Sequence, residues 1–416
     1  MKKTTVMAAL LALHSMGCTD SKDPVNHPSS SGGEAGSGGS SGAQAGTGAT
    51  AGKEATSGGP STDAGAPSIG GPESWVPQAT PLISRDVPVF ASGTASGSSA
   101  KAANDADPAV GWSPDKLPCW LAYDLSSVDA AKRQQVLLAW FAIRAGGYIV
   151  DPPNPFDLSP VDYSIEINAA PGGGSPPADG WKTVVNQTAN VRTKLHHVFD
   201  LEGGNWVRIS ITKSSDPGNV YIDVDVQSAP NGASDSWLFM GDSITHLATD
   251  THGIMNIPDL VRAKDPARWP VIIPAGIGGT NTGSALAVIE ETMKAFPGRF
   301  VVLGYGTNDH MPSVGPNGEQ LGFAMEPLVE KVLAAGKIPV IPHMPWAKVD
   351  GIQVDGPPIN AAIDALYEKY PQIYRGPDLW KAFTDRTDLI PEGDVHPNGE
   401  GTEFWRVQWA NAMVPQ

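Results

Sequence analysis

The sequence predicts a two-domain protein, a β-sandwich followed by an α/β domain whose parallel sheet is covered on both faces. Three observations carry this reading. Between about Trp75 and Ser228, short runs of period-two alternation are separated by Pro- and Gly-rich loops, as in a sandwich. From about Ala233 to the end, near-continuous apolar runs alternate with amphipathic helical segments, as in a sheet buried on both sides. Between about Ser29 and Gly71 the chain is Gly, Ser, Ala and Thr with almost nothing apolar, which cannot offset the entropy of ordering and reads as a tether.

The N-terminus, MKKTTVMAALLALHSMGC, has Lys2 and Lys3 and then an apolar run from Val6 to Leu13. That run is too short to span a bilayer and reads as an export signal. It ends Ser15-Met16-Gly17-Cys18, which resembles a bacterial lipobox, although Ser15 stands where an aliphatic residue is usual. Two readings stand: an exported lipoprotein anchored through Cys18 at the cell surface or outer membrane, or a secreted protein with an ordinary signal. The expected division is 1–18 signal, 19–73 linker, 74–230 sandwich and 231–416 catalytic domain. Cys119 is the only other cysteine, so a lipidated Cys18 leaves no intrachain disulfide. The formal charge of −16 excludes nucleic acid as a partner, because phosphates would be repelled. Membrane contact is expected only through the lipid.

The sandwich strands read, in order, as CWLAYDLS, then Val136 to Ile143 after a loop or helical turn, then VDYSIEIN, WKTVV, HHVFDL, WVRISIT and VYIDVDV. The α/β strands read as WLFMGDS, VIIPAG, FVVLGYG and IPVIPHM. The helices between and after them are placed at about Ile257–Lys264, Ser284–Ala295, Phe323–Ala335, Pro358–Tyr370 and Gly401–Met413. In such a sheet, sites form at the carboxyl ends of the strands. There the chain places Gly241-Asp242-Ser243, Gly276-Ile277-Gly278-Gly279-Thr280-Asn281, Gly304-Tyr305-Gly306-Thr307-Asn308-Asp309 and, near the C-terminus, Gly393-Asp394-Val395-His396. A serine, a glycine-rich backbone, an amide and a carboxylate with an imidazole are the parts that acyl transfer needs.

These four blocks, in order and roughly in spacing, resemble those of the SGNH (GDSL) hydrolase superfamily over residues of about 236–416. The resemblance implies a flavodoxin-like three-layer α/β/α fold. It implies Ser243 as nucleophile, His396 as general base, and Gly279, less so Gly278, with Asn308 as oxyanion donors. No cofactor is needed for that chemistry. One block departs from the family pattern of Asp-x-x-His, since Gly393 stands three before His396. Three orienting groups remain open: Asp394 through an altered loop, a backbone carbonyl leaving a Ser–His dyad, or Glu392. Plainer readings exist for each part. Ser243 can cap the following helix, Gly278-Gly279 can be a turn needing positive φ, and Asn308 can hold an Asx-turn. Tyr305, His310 and Trp346 follow strands and are candidates for pocket lining or packing. His246, Asp250 and His252 match no familiar metal spacing.

In the first domain, Ala103 to Trp112 followed by Cys119 to Leu125 resembles the discoidin-type galactose-binding-like sandwich, a jelly roll. That resemblance implies glycan binding through exposed aromatics, with Trp112, Trp120, Tyr148 and Trp181 as candidates against a plain core role. It also implies a structural calcium ion near the acidic turn at Asp105 and Asp107. The combination resembles acetyl esterases of carbohydrate esterase family two, which have an N-terminal jelly roll. The reading is therefore a serine esterase removing acetyl or short acyl groups from carbohydrate or polysaccharide. A lipase or lysophospholipase of the same superfamily and a non-catalytic surface glycan-binding protein are the alternatives.

Overall fold

The computed structural model describes residues 79–104, 110–142, 148, 157–250, 256–309, 313–314 and 320–414. The expected signal, Cys18, the linker, Asp105, Asp107, His252 and His310 lie outside these residues. Among the described residues, eight strands build the first domain: β1 (Val89–Ala91), β2 (Cys119–Asp124), β3 (Gln135–Ala142), β4 (Pro160–Asn168), β5 (Lys182–Gln187), β6 (Lys194–Asp200), β7 (Trp206–Ser214) and β8 (Ile222–Ser228). They form a five-stranded antiparallel sheet, β1-β2-β7-β4-β5, and a three-stranded antiparallel sheet, β6-β3-β8.

Alternate residues join the two sheets. Tyr163 of β4 packs edge-on against Trp140 of β3 and meets His197 of β6 through its hydroxyl at 2.8 Å. Tyr123 of β2 donates its hydroxyl proton toward the Val224 carbonyl of β8 (3.0 Å) or that of Ala103 (2.9 Å). The helical turn expected before β3 is a single turn at Ala130–Arg133, capped by the Asp129 carboxylate on the Ala131 N–H.

The second domain contains β9 (Ser236–Gly241), α1 (Ser243–Asp250), α2 (Ile257–Lys264), β10 (Val271–Gly276), α3 (Thr282–Ala295), β11 (Phe300–Gly304), a short hairpin β12 (Ser313–Val314) and β13 (Gln320–Leu321), α4 (Met325–Ala334), β14 (Ile338–His343), α5 (Asp350–Lys369), β15 (Tyr374–Asp378), α6 (Leu379–Asp385) and α7 (Gly399–Met413). The sheet order is β10-β9-β11-β14-β15 and every pairing is parallel. The first strand thus lies between the second and third, which makes the cleft beside β9 and β11 the topological switch point where such sheets take their ligands.

β9 is buried at all six residues. Trp237 stacks on Phe300 of β11 with ring centroids 4.1 Å apart, and Phe239 packs against Trp405 and Trp409 of α7. At the start of β9 the buried Asp235 accepts hydrogen bonds from Arg268 and from the Trp237 indole (2.8 Å), so its charge is paired rather than stranded.

Strand β1 and the β12–β13 hairpin have no counterpart in the sequence reading, and four further elements differ from it. Helix α5 begins at Asp350, eight residues before the expected start, and runs through Pro357 and Pro358. A proline pair normally ends a helix. Here Gly356 lets the helix approach Trp380, whose ring would lie 2.1 Å from any Cβ at that position. Helix α1 begins at the serine of Gly-Asp-Ser itself, and the sequence reading does not separate it from the turn. Strand β15 (YRGPD) carries Gly and Pro and sits at the sheet edge, where those residues are tolerated. Helix α6, capped by Asp378 on the Lys381 N–H, follows it at once.

The domains touch through the three-stranded sheet and nearby loops. His196 of β6 and Tyr148 pack edge-on against Phe296, and the Tyr148 hydroxyl donates to the Ala295 carbonyl (3.2 Å). The Thr80 hydroxyl donates to the Trp269 carbonyl (3.1 Å), and the Arg85 guanidinium lies 4.4 Å from the Trp269 ring centroid.

Candidate active site

Strand β9 ends where the chain must turn sharply, and glycines make that turn possible. A Cβ on Gly241 would lie 2.1 Å from the Thr245 hydroxyl and 2.8 Å from the Gly304 carbonyl. A Cβ on Gly276 would lie 2.4 Å from the His246 backbone nitrogen. Helix α1 therefore sits tight against the ends of β9 and β10, with Ser243 as its first residue.

The helix cap is Asp242, whose carboxylate accepts the Ile244 N–H at 2.9 Å. Ser243 is thereby free of the capping role. Its Oγ instead lies 2.8 Å from His396 Nε2, across 153 residues of sequence.

His396 is held from its other side. Asp394 Oδ1 lies 2.8 Å from His396 Nδ1 and also accepts the His396 backbone N–H at 3.0 Å. This is an Asx-turn, in which a carboxylate bonds the backbone two residues on. The preceding turn, closed by the Asp394 N–H to the Pro391 carbonyl (3.3 Å), has Gly393 at φ +72°. Glycine is favoured at that conformation, so the residue that departs from Asp-x-x-His is the one that bends the loop. Glu392 points elsewhere: its carboxylate is 87% exposed and 3.8 Å from Lys348 Nζ. Partial burial pushes the Asp394 pKa up, but its bonds to His396 outweigh that and hold it below the usual carboxylate value.

The other two loops are tied to each other and to β9. The Gly241 carbonyl accepts the Ile277 N–H (3.0 Å) and the Thr280 hydroxyl (3.2 Å). Asn308 Nδ2 donates to the Thr280 carbonyl at 2.9 Å, and Asp309 accepts the Thr282 N–H (3.1 Å) and the Thr282 hydroxyl. An amide nitrogen carries two N–H groups, so this bond orients Asn308 and leaves one donor for a ligand. Gly278 lies against Ser243: a Cβ there would be 3.8 Å from the serine Cβ. Gly279 has φ +75°.

The remaining candidates separate by burial. Tyr305 is 5% exposed and packs in the core, where burial, then Asp242 and Asp309, raise its phenol pKa. Trp346 is half-buried against the core. No group of three His, Cys, Asp or Glu side chains among the described residues is placed to hold a metal ion. In the sandwich, Trp112 and Tyr148 are buried, at 0% and 4% exposure, while Trp120 and Trp181 are half-buried.

Asp242 is a residue that the sequence reading passed over. It is 3% exposed, and its pKa is pushed from 3.8 to about 6 by burial, against the opposing pull of the Ile244 and Thr245 N–H groups and the nearby His396. The signal available was its place beside the serine in Gly-Asp-Ser.

Residues 239–404 match the GDSL-like Lipase/Acylhydrolase family. Among solved structures, a GDSL-like lipase from Bacteroides thetaiotaomicron VPI-5482 matches at 20% identity and a TM-score of 0.32, over 43% of this chain and 87% of that one. A mutant of an acetyl-xylooligosaccharide esterase from Geobacillus stearmophilus matches at 17% identity and a TM-score of 0.35, over 44% of this chain and 96% of that one. Chitosan-binding module 1 of a chitosanase/glucanase from Paenibacillus sp. IK-5 matches at 17% identity and a TM-score of 0.26, over 35% of this chain and 97% of that one. Among curated proteins none matches.

Proposed function

We propose, from residues 239–404 that match the GDSL-like Lipase/Acylhydrolase family, that this protein is a serine esterase removing acetyl or other short acyl groups from carbohydrate. The observation that carries the reading is the relay of contacts from Ser243 Oγ to His396 and on to Asp394, with 2.8 Å at each step, at the switch point of the sheet.

In this mechanism His396 Nε2 takes the Ser243 proton as Oγ attacks the ester carbonyl, while Asp394 accepts the Nδ1–H and stabilises the imidazolium. Negative charge gathers on the carbonyl oxygen. The Ser243 N–H at the start of α1, the Gly279 N–H and the free Asn308 N–H receive it, aided by the positive end of the helix. His396 then protonates the leaving alcohol, and water repeats the sequence on the acyl-enzyme. No step uses a metal or cofactor.

One feature supports carbohydrate over long-chain lipid: a β-sandwich docks on the hydrolase domain, with half-buried Trp120 and Trp181 on its surface. Export with a lipid anchor at Cys18 remains part of the proposal, tested by whether Cys18→Ala releases the protein from membranes.

The test is hydrolysis of p-nitrophenyl esters from acetyl to dodecanoyl, with acetylated polysaccharide alongside. Acetyl activity that falls with chain length, and drops by about 10⁶ in Ser243→Ala, is expected. A preference for dodecanoyl points to a lipase. No turnover by folded protein on any ester points to a glycan-binding protein.

A further inference from the structure

Two hydrogen-bonded ties join the loop that carries Gly279 to the loop that carries Asn308. In the first, Asn308 Nδ2 donates to the Thr280 carbonyl at 2.9 Å. In the second, Thr282 meets Asp309. The Thr282 backbone N–H lies 3.1 Å and 3.4 Å from the two carboxylate oxygens, and its hydroxyl donates to Oδ1. One tie alone lets two loops swivel about it. Two ties, made by the adjacent residues Asn308 and Asp309, also fix the angle between the loops and with it the direction of the Asn308 amide.

Thr282 is the first residue of α3 and is 0% exposed, so it cannot touch substrate. The helix does not need its hydroxyl as a cap, since the Asn281 side chain accepts the Ser284 N–H at 2.9 Å. A hydroxyl has one proton to give and two lone pairs. Here the proton goes to Asp309, and a lone pair accepts the Ala324 N–H at 2.8 Å, where the chain enters α4. One buried oxygen thus holds three segments together: the start of α3, the Asn308 loop and the start of α4. Threonine is β-branched and stiff at χ1, which fixes where that oxygen stands. A hydrogen bond to a carboxylate is also stronger than one between neutral groups.

We propose that Thr282 is a positioning residue for ester hydrolysis: through Asp309 it sets where the Asn308 amide stands as negative charge gathers on the carbonyl oxygen. The second Asn308 N–H must point at an oxygen that becomes negative only during attack, so its aim has to be set beforehand. The bond to Thr280 sets one direction, and the Thr282–Asp309 tie sets the other. The kinetic consequence rests on the proposed esterase reading, whereas the placement of Asn308 can be measured without turnover.

Thr282→Val removes the hydroxyl and keeps the shape. With p-nitrophenyl acetate, kcat should fall about 10- to 100-fold at nearly unchanged KM, and Thr282→Ser should return to within about threefold of wild type. In the double variant Asn308→Ala/Thr282→Val the loss should equal that of Asn308→Ala alone, because the tie has nothing left to aim. Ser284→Ala, which removes a hydroxyl bonded to Asn281 at the same helix start (3.0 Å), should leave kcat unchanged. The second readout is the pair of Asn308 side-chain amide resonances, assigned by their absence in Asn308→Ala. They should shift in Thr282→Val and return in Thr282→Ser. Should Thr282→Val fail to fold, Asp309→Asn weakens the same contact at constant shape and should move both readouts in the same direction. A wild type that hydrolyses no ester sinks the esterase reading, and the resonances then decide the role of Thr282. Asn308 resonances that stay in place in folded Thr282→Val or Asp309→Asn would overturn the proposal. So would a double variant that loses the product of the two single losses, or Ser284→Ala losing as much as Thr282→Val.

Discussion

Replacing Asp394 by alanine removes one carboxylate oxygen that serves His396 twice, at Nδ1 (2.8 Å) and at the backbone N–H (3.0 Å). As His396 becomes positive during attack, the charge pair at that separation is worth about 1.5 kcal/mol in water and about 6 kcal/mol at an effective dielectric near 20. The Asp394 side chain is 47% exposed, so solvent screens the pair and the lower part of that range applies. A loss of about 2–3 kcal/mol lowers kcat about 30- to 150-fold. The substrate does not touch Asp394 in this scheme, so KM for p-nitrophenyl acetate should change little. Asp394→Asn keeps an acceptor for both N–H groups and loses only the charge, so it should fall between wild type and Asp394→Ala. The assay is steady-state hydrolysis with folding checked by near-UV circular dichroism. Asp394→Ala retaining more than half of wild-type kcat, or Glu392→Ala losing as much as Asp394→Ala, refutes the reasoning.

Three further outcomes follow from the same geometry. Asn308→Ala removes a donor already oriented by the Thr280 carbonyl, and kcat should fall about 10²- to 10³-fold at nearly constant KM, read from the same ester assay. Asp242 has a folded pKa of about 6 against 3.8, so the unfolded chain releases this proton first as pH rises. Its contribution to stability is therefore lost between about pH 4 and 6, by about 3 kcal/mol in all. Asp242→Asn should match wild type in urea near pH 4 and exceed it by up to that amount at pH 7, and a gap independent of pH contradicts this. Gly276→Ala places a Cβ against the backbone of His246 and must displace α1, so it should cost about 1–3 kcal/mol in urea unfolding and lower kcat as well.

Three blocks of the site were legible because β9, β10 and β11 end in turn residues whose chemistry is unusual for a turn, whereas the Asp394–His396 block follows the helical turn at Thr387–Leu389 and no strand. Gly241-Asp242-Ser243 after β9 and Asn308 after β11 are examples. What periodicity could not supply was the local backbone. Whether Asp394 reaches His396 depends on the left-handed conformation of Gly393 and on the Asx-turn, neither of which has a hydrophobic signature. Helix α5 is shortened in the sequence reading because Pro357-Pro358 is a breaker in isolation, whereas in the structure the helix runs through the pair with Gly356 packed on Trp380. The aromatic candidates could not be sorted by sequence because burial of a sandwich residue depends on which face meets a partner. Trp112 lies inside, bridged to Ile222, whereas Trp120 is on the outer side of the same sandwich.

The central claim, that Ser243 is a nucleophile activated by His396, is tested most directly by a fluorophosphonate, which forms a stable covalent adduct only with an activated serine. The account predicts one adduct per chain by intact mass, located on Ser243 by peptide mapping, absent in Ser243→Ala and strongly slowed in His396→Ala. No adduct on the folded wild-type protein, or an adduct that persists in Ser243→Ala, would contradict it.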